Sequence, residues 1–252
     1  MLMRHAPDRT PELILATDLD GTFLGGDQQQ RTALYDELIE RAEGIVLVFV
    51  TGRDLDFIGE LVEQPGMPRP DMIIGDVGTT IVHGHDFSPV DQVQSWVDQR
   101  WDDGTERVLE LLDGEPALEL QPVMGPRRVS YYYDPAALRR ETIEKVEDAG
   151  FDVVLSADLF FDVLPRGVAK GSTLLRLVDA LDLPDDRVLV AGDTMNDLSL
   201  FHTGLRGVAV GNSEPALVEA IADLPDVHHS EHPGCAGITD AIEHFGLLAR
   251  AI

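Results

Sequence analysis

The sequence predicts an α/β fold, a parallel-sheet core interrupted by an inserted α+β segment. Two observations carry this. Short apolar runs at residues 13–16, 45–50, 72–75 and 187–191 each stop at a polar turn that contains glycine, as strands buried on both faces of a parallel sheet do. Between about Phe87 and Asp158 the pattern changes to shorter, alternating strands and amphipathic helices, the mark of a second unit built differently.

Composition narrows the class. A chain of 252 residues is one large domain or a core with a smaller insert. No apolar run approaches the roughly 20 residues of a membrane span. The start, Met1 to Glu12, is polar and carries two prolines, so no signal peptide is expected. Cys235 is the only cysteine, which excludes an internal disulfide. Together these point to the cytoplasm. The net charge of -27, from 46 acids against 19 Lys and Arg, argues against nucleic acid and anionic membranes as partners.

The first run ends in Asp18-Leu19-Asp20-Gly21-Thr22. Asp18 and Asp20, two residues apart, are expected on roughly the same side of the strand end. Side-by-side carboxylates repel unless a cation lies between them, and a divalent ion meets that need. Such acids also cap loops. Residues 23–30 read as a loop, and 31–42 as a helix ended by Gly44. The next strand stops at Thr51-Gly52-Arg53, before a helix beginning near Asp54. A hydroxyl and backbone N–H groups at that place hold a phosphate oxygen or cap the helix. Arg53 reads as a solvated charge. The strand at 72–75 is followed by a hairpin return at 81–85.

Within the insert, Val90, Val93 and Val97 line one helix face, and Val108, Leu109, Leu111 and Leu112 mark a second helix. Residues 118–121 and 128–133 alternate like half-exposed strands, 135–149 is helical, and 151–156 and 160–164 close the segment. On the 128–133 strand, Val129, Tyr131 and Tyr133 are expected to pack on the insert's helices. Arg128, Ser130 and Tyr132, with Gln121, make the opposite face, which is expected to look down at the edge of the core sheet.

After the insert, Lys170 opens a helix over 173–181. The helix dipole disfavours a cation there, so anions must meet it. The strand at 187–191 ends in Gly192-Asp193-Thr194-Met195-Asn196-Asp197, with Asp197 one helical turn beyond Asp193. Further elements follow at 207–210, 215–221, 227–229 and 237–245. His83, His85, His228, His229 and His232 lack the cysteines or fixed ligands a zinc site needs, and read as loop or surface residues.

Asp18 with Asp20, Thr51, Lys170, and Asp193 with Asp197 thus converge on one sheet edge. In this order they resemble the four motifs of the haloacid dehalogenase-like (HAD) phosphohydrolase superfamily: D-L-D-G-T, T-G-R, a lysine opening a helix, and G-D-T-M-N-D. The resemblance covers nearly the whole chain. It implies a Rossmann-like parallel-sheet HAD core at 1–84 and 162–252, with an α+β cap of the C2B type at 85–161. Finer matches at Asp76-Val77-Gly78-Thr79, Leu120-Gln121-Pro122, Arg128-Val129-Ser130-Tyr131-Tyr132, Gly237-Ile238 and His244-Phe245-Gly246 are similar to the sucrose-phosphate phosphatases and to relatives acting on other glycosyl-sugar phosphates, such as mannosylfructose-phosphate phosphatase. Thr194-Met195 departs from that pattern, where smaller residues are usual.

The resemblance implies the roles. Asp18 is the expected nucleophile and Asp20 the general acid and base. Thr51, Gly52, Lys170 and Asn196 are expected on the phosphoryl group. Mg²⁺ is expected on Asp18, Asp20 (through its backbone carbonyl), Asp193 and Asp197, and the sugar on Gln121, Arg128, Ser130 and Tyr132. The implied reaction is hydrolysis of a small-molecule sugar phosphate by a monomer or dimer. A glycosyl-sugar phosphate such as sucrose 6-phosphate is the first choice. A monosaccharide phosphatase or a sugar phosphomutase on the same scaffold stays open.

Overall fold

The computed structural model describes residues 10–122 and 125–248. Most of the polar N-terminal stretch, in which no signal peptide is expected, lies outside them. The strands are β1 (Leu13–Thr17), β2 (Ile45–Val50), β3 (Met72–Gly75), β4 (Thr80–His83), β5 (Leu118–Leu120), β6 (Val129–Tyr133), β7 (Phe151–Ser156), β8 (Phe160–Pro165), β9 (Val188–Gly192), β10 (Arg206–Ala209) and β11 (Val227–His229). The helices are α1 (Gln28–Glu40), α2 (Leu55–Val62), α3 (Asp91–Trp101), α4 (Gly104–Leu111), α5 (Arg140–Asp148), α6 (Lys170–Ala180), α7 (Leu198–Phe201), α8 (Pro215–Ala220) and α9 (Cys235–Phe245). None of the described helices is long and apolar enough to cross a membrane.

Seven strands form the core sheet in the order β11-β10-β9-β1-β2-β3-β4. All neighbours are parallel except β4, which returns antiparallel on β3. Alternation along β1 explains the layers. Leu13 and Leu15 join one apolar cluster with residues of α1, α2 and α9; Ile14 and Ala16 join the other, with residues of α3, α6, α7 and α8. Every residue of β1 is buried, as a central strand covered on both faces requires. The sheet and its two helical layers match the expected parallel-sheet core.

The insert forms a second, antiparallel sheet in the order β5-β6-β8-β7. Trp101, Val108, Val129, Tyr131, Val146, Phe151, Phe161 and Val163 build its apolar side, with Tyr133 against them. The expected Val129–Tyr131–Tyr133 face therefore meets the cap helices. The opposite face carries Ser130 and Asp162 directly across from one another, with Val154 next to Asp162 on β7.

Some elements depart from the sequence reading. The expected loop at 23–30 is shortened from both sides. A wide hydrogen-bonded turn, non-helical at Asp20 and Gly21, spans Leu19–Phe23, and α1 starts at Gln28 because the Asp27 carboxylate caps it by accepting the Gln30 N–H. The helix expected from Pro135 starts only at Arg140, since Asp134 folds the intervening residues into a turn by accepting the Ala136 N–H. The apolar face of α3 packs mostly on the core: Val90, Val93 and Val97 lie with Ile74, Ile81 and Leu174. Only its last residue, Trp101, enters the cap cluster. Gln94 fixes this helix to β4 and the turn before it, accepting from Ile81 N at 2.9 Å and donating to the Thr79 carbonyl at 3.2 Å. At the other crossing, β8 keeps its pairing with β7 as far as Pro165, past the expected return to the core at 162. Amphipathic spacing shows that a face is buried but not which partner buries it.

Candidate active site

The strands β9, β1 and β2 are neighbours, and from β1 the chain builds outward in both directions. Their C-terminal ends therefore meet at the switch point where open α/β sheets form a ligand crevice. Asp193 follows β9, Asp18 follows β1 and Thr51 follows β2, and all three are buried. Lys170 is the first residue of α6 and has no exposed surface. Its ammonium donates to Asp18 Oδ1 at 2.7 Å, Asn196 Oδ1 at 2.7 Å and Asp197 Oδ1 at 2.6 Å. Two of these partners, Asp18 and Asp197, are anions of the kind expected around this lysine.

Asp197 serves two neighbours. One oxygen holds Lys170; the other accepts the backbone N–H groups of Asp193 and Thr194 at 3.0 and 3.1 Å and so shapes the loop that presents Asp193. Asp193 is held in turn by Thr22 Oγ1 at 2.8 Å and Asn212 Nδ2 at 3.2 Å. Asn212 also donates to the Gly21 carbonyl. Gly21 has φ +79°, and a Cβ there would lie 2.1 Å from Asp193 Oδ2, so only glycine lets the β1 turn close on the β9 loop.

Ligand atoms of Asp18, Asp193 and Asp197 lie within 4.8 Å of one another. Three buried acids crowd here, and one ammonium pairs with two of them, Asp18 and Asp197. Burial pushes the Asp18 carboxyl up to about 8 against the pull of Lys170, with Asp197 adding to the rise. Burial, followed by repulsion from Asp197, pushes Asp193 up to about 7. Burial opposes the charge on Lys170, yet Asp18 and Asp197 more than offset it and raise its pKa. A compact set of carboxylate oxygens with excess negative charge suits a hard divalent cation.

Asp20 parts from Asp18. The chain enters the Leu19–Phe23 turn directly after β1, and the exposed Asp20 carboxylate is gripped in two places by Arg53, at 2.8 and 2.9 Å. Its side chain is outside the three-acid cluster, which leaves its backbone carbonyl as the only route by which it could join a metal set. Arg53, read from sequence as solvated, also stacks on Phe57 with its guanidinium 4.4 Å from the ring centroid. Arg53 thus fixes the direction of a candidate general acid. Arg53→Ala should lower kcat by about 10- to 100-fold, the cost of a misaimed proton donor. The melting midpoint should hardly move, because exposed ion pairs add little stability. Steady-state rates and a thermal melt on the same sample check both.

Thr51 Oγ1 accepts the Arg53 N–H at 3.1 Å, which leaves its own O–H to donate. On the cap, Tyr132 is exposed, and Gln121 donates to the Tyr131 carbonyl at 3.2 Å. Ser130 donates to Asp162 at 2.5 Å, and Arg128 turns toward the core. Asp162, buried on the face that carries Ser130, was missed from sequence; an acid inside the apolar run of β8 was its signal. Asn212 and Thr22 were also missed, since each acts through a partner far along the chain.

Comparison with known proteins agrees with this fold. The family model described as sucrose-6F-phosphate phosphohydrolase matches residues 11–246. The chain is 45% identical over 239 residues to glucosylglycerol-phosphate synthase of Pseudomonas anguilliseptica, covering 94% of this chain and 31% of that protein. It is 31% identical to mannosylfructose-phosphate phosphatase of Agrobacterium fabrum, covering 95% of this chain and 99% of that one. The X-ray structure of the sucrose-phosphatase from Synechocystis sp. in complex with sucrose and phosphate superposes with a TM-score of 0.86 at 29% identity, covering 95% of this chain and all of that one. The chain therefore spans under a third of the synthase, although it matches the two phosphatases almost end to end.

Proposed function

Because the chain belongs to the sucrose-6F-phosphate phosphohydrolase family, we propose that it hydrolyses the phosphate monoester of a glycosyl-sugar or glycosyl-polyol. The observation that carries this reading is Lys170, buried between Asp18, Asn196 and Asp197 at the sheet's switch point. Asp18 attacks phosphorus in line, forming an aspartyl-phosphate as the bond to the sugar oxygen breaks. Asp20 gives a proton to that departing oxygen. It then takes one from the water that attacks the aspartyl-phosphate, which releases inorganic phosphate and restores Asp18. Lys170 and the Thr51 hydroxyl hold the phosphoryl oxygens on which charge gathers. Asn196 and Asp197 keep Lys170 in place. Asp18, Asp193 and the Asp20 carbonyl would hold Mg²⁺, with Asp197 behind them; bound there, it supplies positive charge to the phosphoryl oxygens.

The cap face carrying Ser130 and Asp162 supports a polyhydroxylated leaving group, with Tyr132 offering a ring and Gln121 an amide at its margin. Sucrose 6-phosphate and glucosylglycerol phosphate are the first compounds to assay, the second because of the name of the 45% identical relative. A panel of these, mannosylfructose phosphate, hexose 6-phosphates and p-nitrophenyl phosphate should show the highest kcat/KM on a glycosyl ester. Phosphate should be released without any isomeric sugar phosphate. EDTA should abolish the activity and Mg²⁺ restore it. Preference for a monosaccharide ester would overturn the substrate class, isomer formation would indicate a mutase, and full activity in a verified metal-free sample would overturn the metal assignment.

A further inference from the structure

Arg128 stands just before β6, and its side chain leaves the cap for the core. Nη1 donates to the Gly52 carbonyl at 2.9 Å, and Nη2 lies 3.1 Å from Asp76 Oδ1. Nη1 is also 3.7 Å from Asp162 Oδ1 on the cap's own sheet. The side chains of Arg128, Asp76 and Asp162 are 9%, 3% and 8% exposed, so one nearly buried cation is shared by a core acid and a cap acid. The preceding loop sits equally close: a Cβ on Gly125 would be 2.8 Å from Asp76 Oδ1.

We propose that Arg128 is a positioning residue, a latch that transmits seating of the cap to the phosphate-binding elements, and that it is not a sugar ligand. The inference rests on the phosphatase reading above and deepens it. What the latch grips is a strained turn. Asp76 and Val77 have φ of +51° and +59°, a region costly for residues other than glycine and most of all for a β-branched one. Such a turn persists only where its surroundings hold it. Asp76 N donates to the Arg53 carbonyl and Val77 N to the Thr51 carbonyl, both at 3.0 Å. Thr80 Oγ1 donates to Asp76 Oδ2 at 2.7 Å. On its far side the Gly78 carbonyl accepts Thr173 Oγ1 of α6 at 2.8 Å. The turn thus joins the Thr51–Arg53 loop to the helix that carries Lys170. Withdrawal of the cap takes Arg128 away, and Asp76, whose charged form burial already disfavours, loses its counter-charge. Seating the cap therefore completes the phosphate-binding loop, and chemistry awaits closure.

The test pairs kinetics with amide exchange. Arg128→Ala and Asp76→Asn should each lower kcat by about 100-fold, the scale of an ångström's misplacement, with KM within about threefold. The loss should be the same on the glycosyl ester and on p-nitrophenyl phosphate. The double variant should be no worse than either single one, as for two residues acting as a unit. Guanidinium chloride should restore part of the rate to Arg128→Ala. Independently of any substrate, Arg128→Ala should speed hydrogen exchange at the Asp76 and Val77 amides by about tenfold or more while leaving β1 unchanged. A raised KM on the glycosyl ester with p-nitrophenyl phosphate turnover intact would make Arg128 a sugar ligand and overturn the latch. Additive losses, or unchanged exchange at Asp76 and Val77, would overturn it too. A wild-type protein inactive on every ester would refute the phosphatase reading instead, and the exchange experiment would still decide the latch. If Arg128→Ala fails to fold, Arg128→Lys serves: it keeps the charge and loses the two-pronged geometry, and its kcat should fall about tenfold below wild type on both esters with KM nearly unchanged, whereas a wild-type kcat would overturn the latch.

Discussion

Asp18→Asn protein should release phosphate at least about 10⁴-fold more slowly than wild type, each tenfold being about 1.4 kcal/mol of barrier. The amide is nearly the same size and keeps an oxygen toward the Lys170 ammonium, now 2.7 Å from Asp18. It cannot form an acyl phosphate, and no neighbour can stand in. Asp193 is fixed by Thr22 and Asn212, Asp197 by Lys170 and two backbone N–H groups, and Asp20 by Arg53. Stability should hold or rise, because the change removes one of three crowded, buried acids. Steady-state phosphate release and a thermal melt decide it. Residual turnover within tenfold of wild type would remove Asp18 from the reaction.

Lys170→Met should lower kcat by about 10²- to 10³-fold, the usual loss when a fixed positive group is taken from a charge-stabilising site. Unlike Asp18→Asn, it should also destabilise the fold. Lys170 is wholly buried and pairs with two acids, and removing one partner of such a set costs about 3–5 kcal/mol before any proton uptake by the acids. A lowered melting midpoint together with a lost rate is the expected pair of results. Lys170→Arg should not rescue the rate, because three partners at 2.6–2.7 Å enclose a compact ammonium and leave no room for a planar fork. A methionine variant with near-normal kcat would show that the lysine is there for folding alone.

The acid-rich sheet edge was legible because its signals are local. An apolar run that stops at Asp18, another that stops at Thr51 and a third that stops at Asp193 each announce a strand end. A lysine at a helix start announces its need for anions. What the sequence hid depends on distance. Arg53 meets Asp20 across 33 residues and Asn212 meets Gly21 across 191, so neither carries a pattern in its own neighbourhood. The Asp27 cap of α1, by contrast, was a local signal that a glycine- and glutamine-rich stretch obscured. For Arg128 the alternation rule gave the correct side of the strand. That face was expected to look down at the core, but nothing local showed that the guanidinium would end on the Gly52 carbonyl. The partner of α3 stayed hidden for a related reason, since its stripe of valines suits either layer.

That helix has a mechanical consequence. With Val93 and Val97 seated in one unit and Trp101 in the other, α3 is a stiff rod fixed at its root and loaded at its tip. From Gln94 to Trp101 the arm is about 10 Å long at 1.5 Å per residue, so a tilt of about 10° displaces the tip by about 2 Å. Gln94, bonded to β4 and the turn before it, lies near the fulcrum. The second crossing of the chain, between Pro165 and Lys170, leads straight into α6, the helix that Lys170 opens. Any torque on the cap is therefore borne by one arm that barely deforms and one that ends at the buried Lys170.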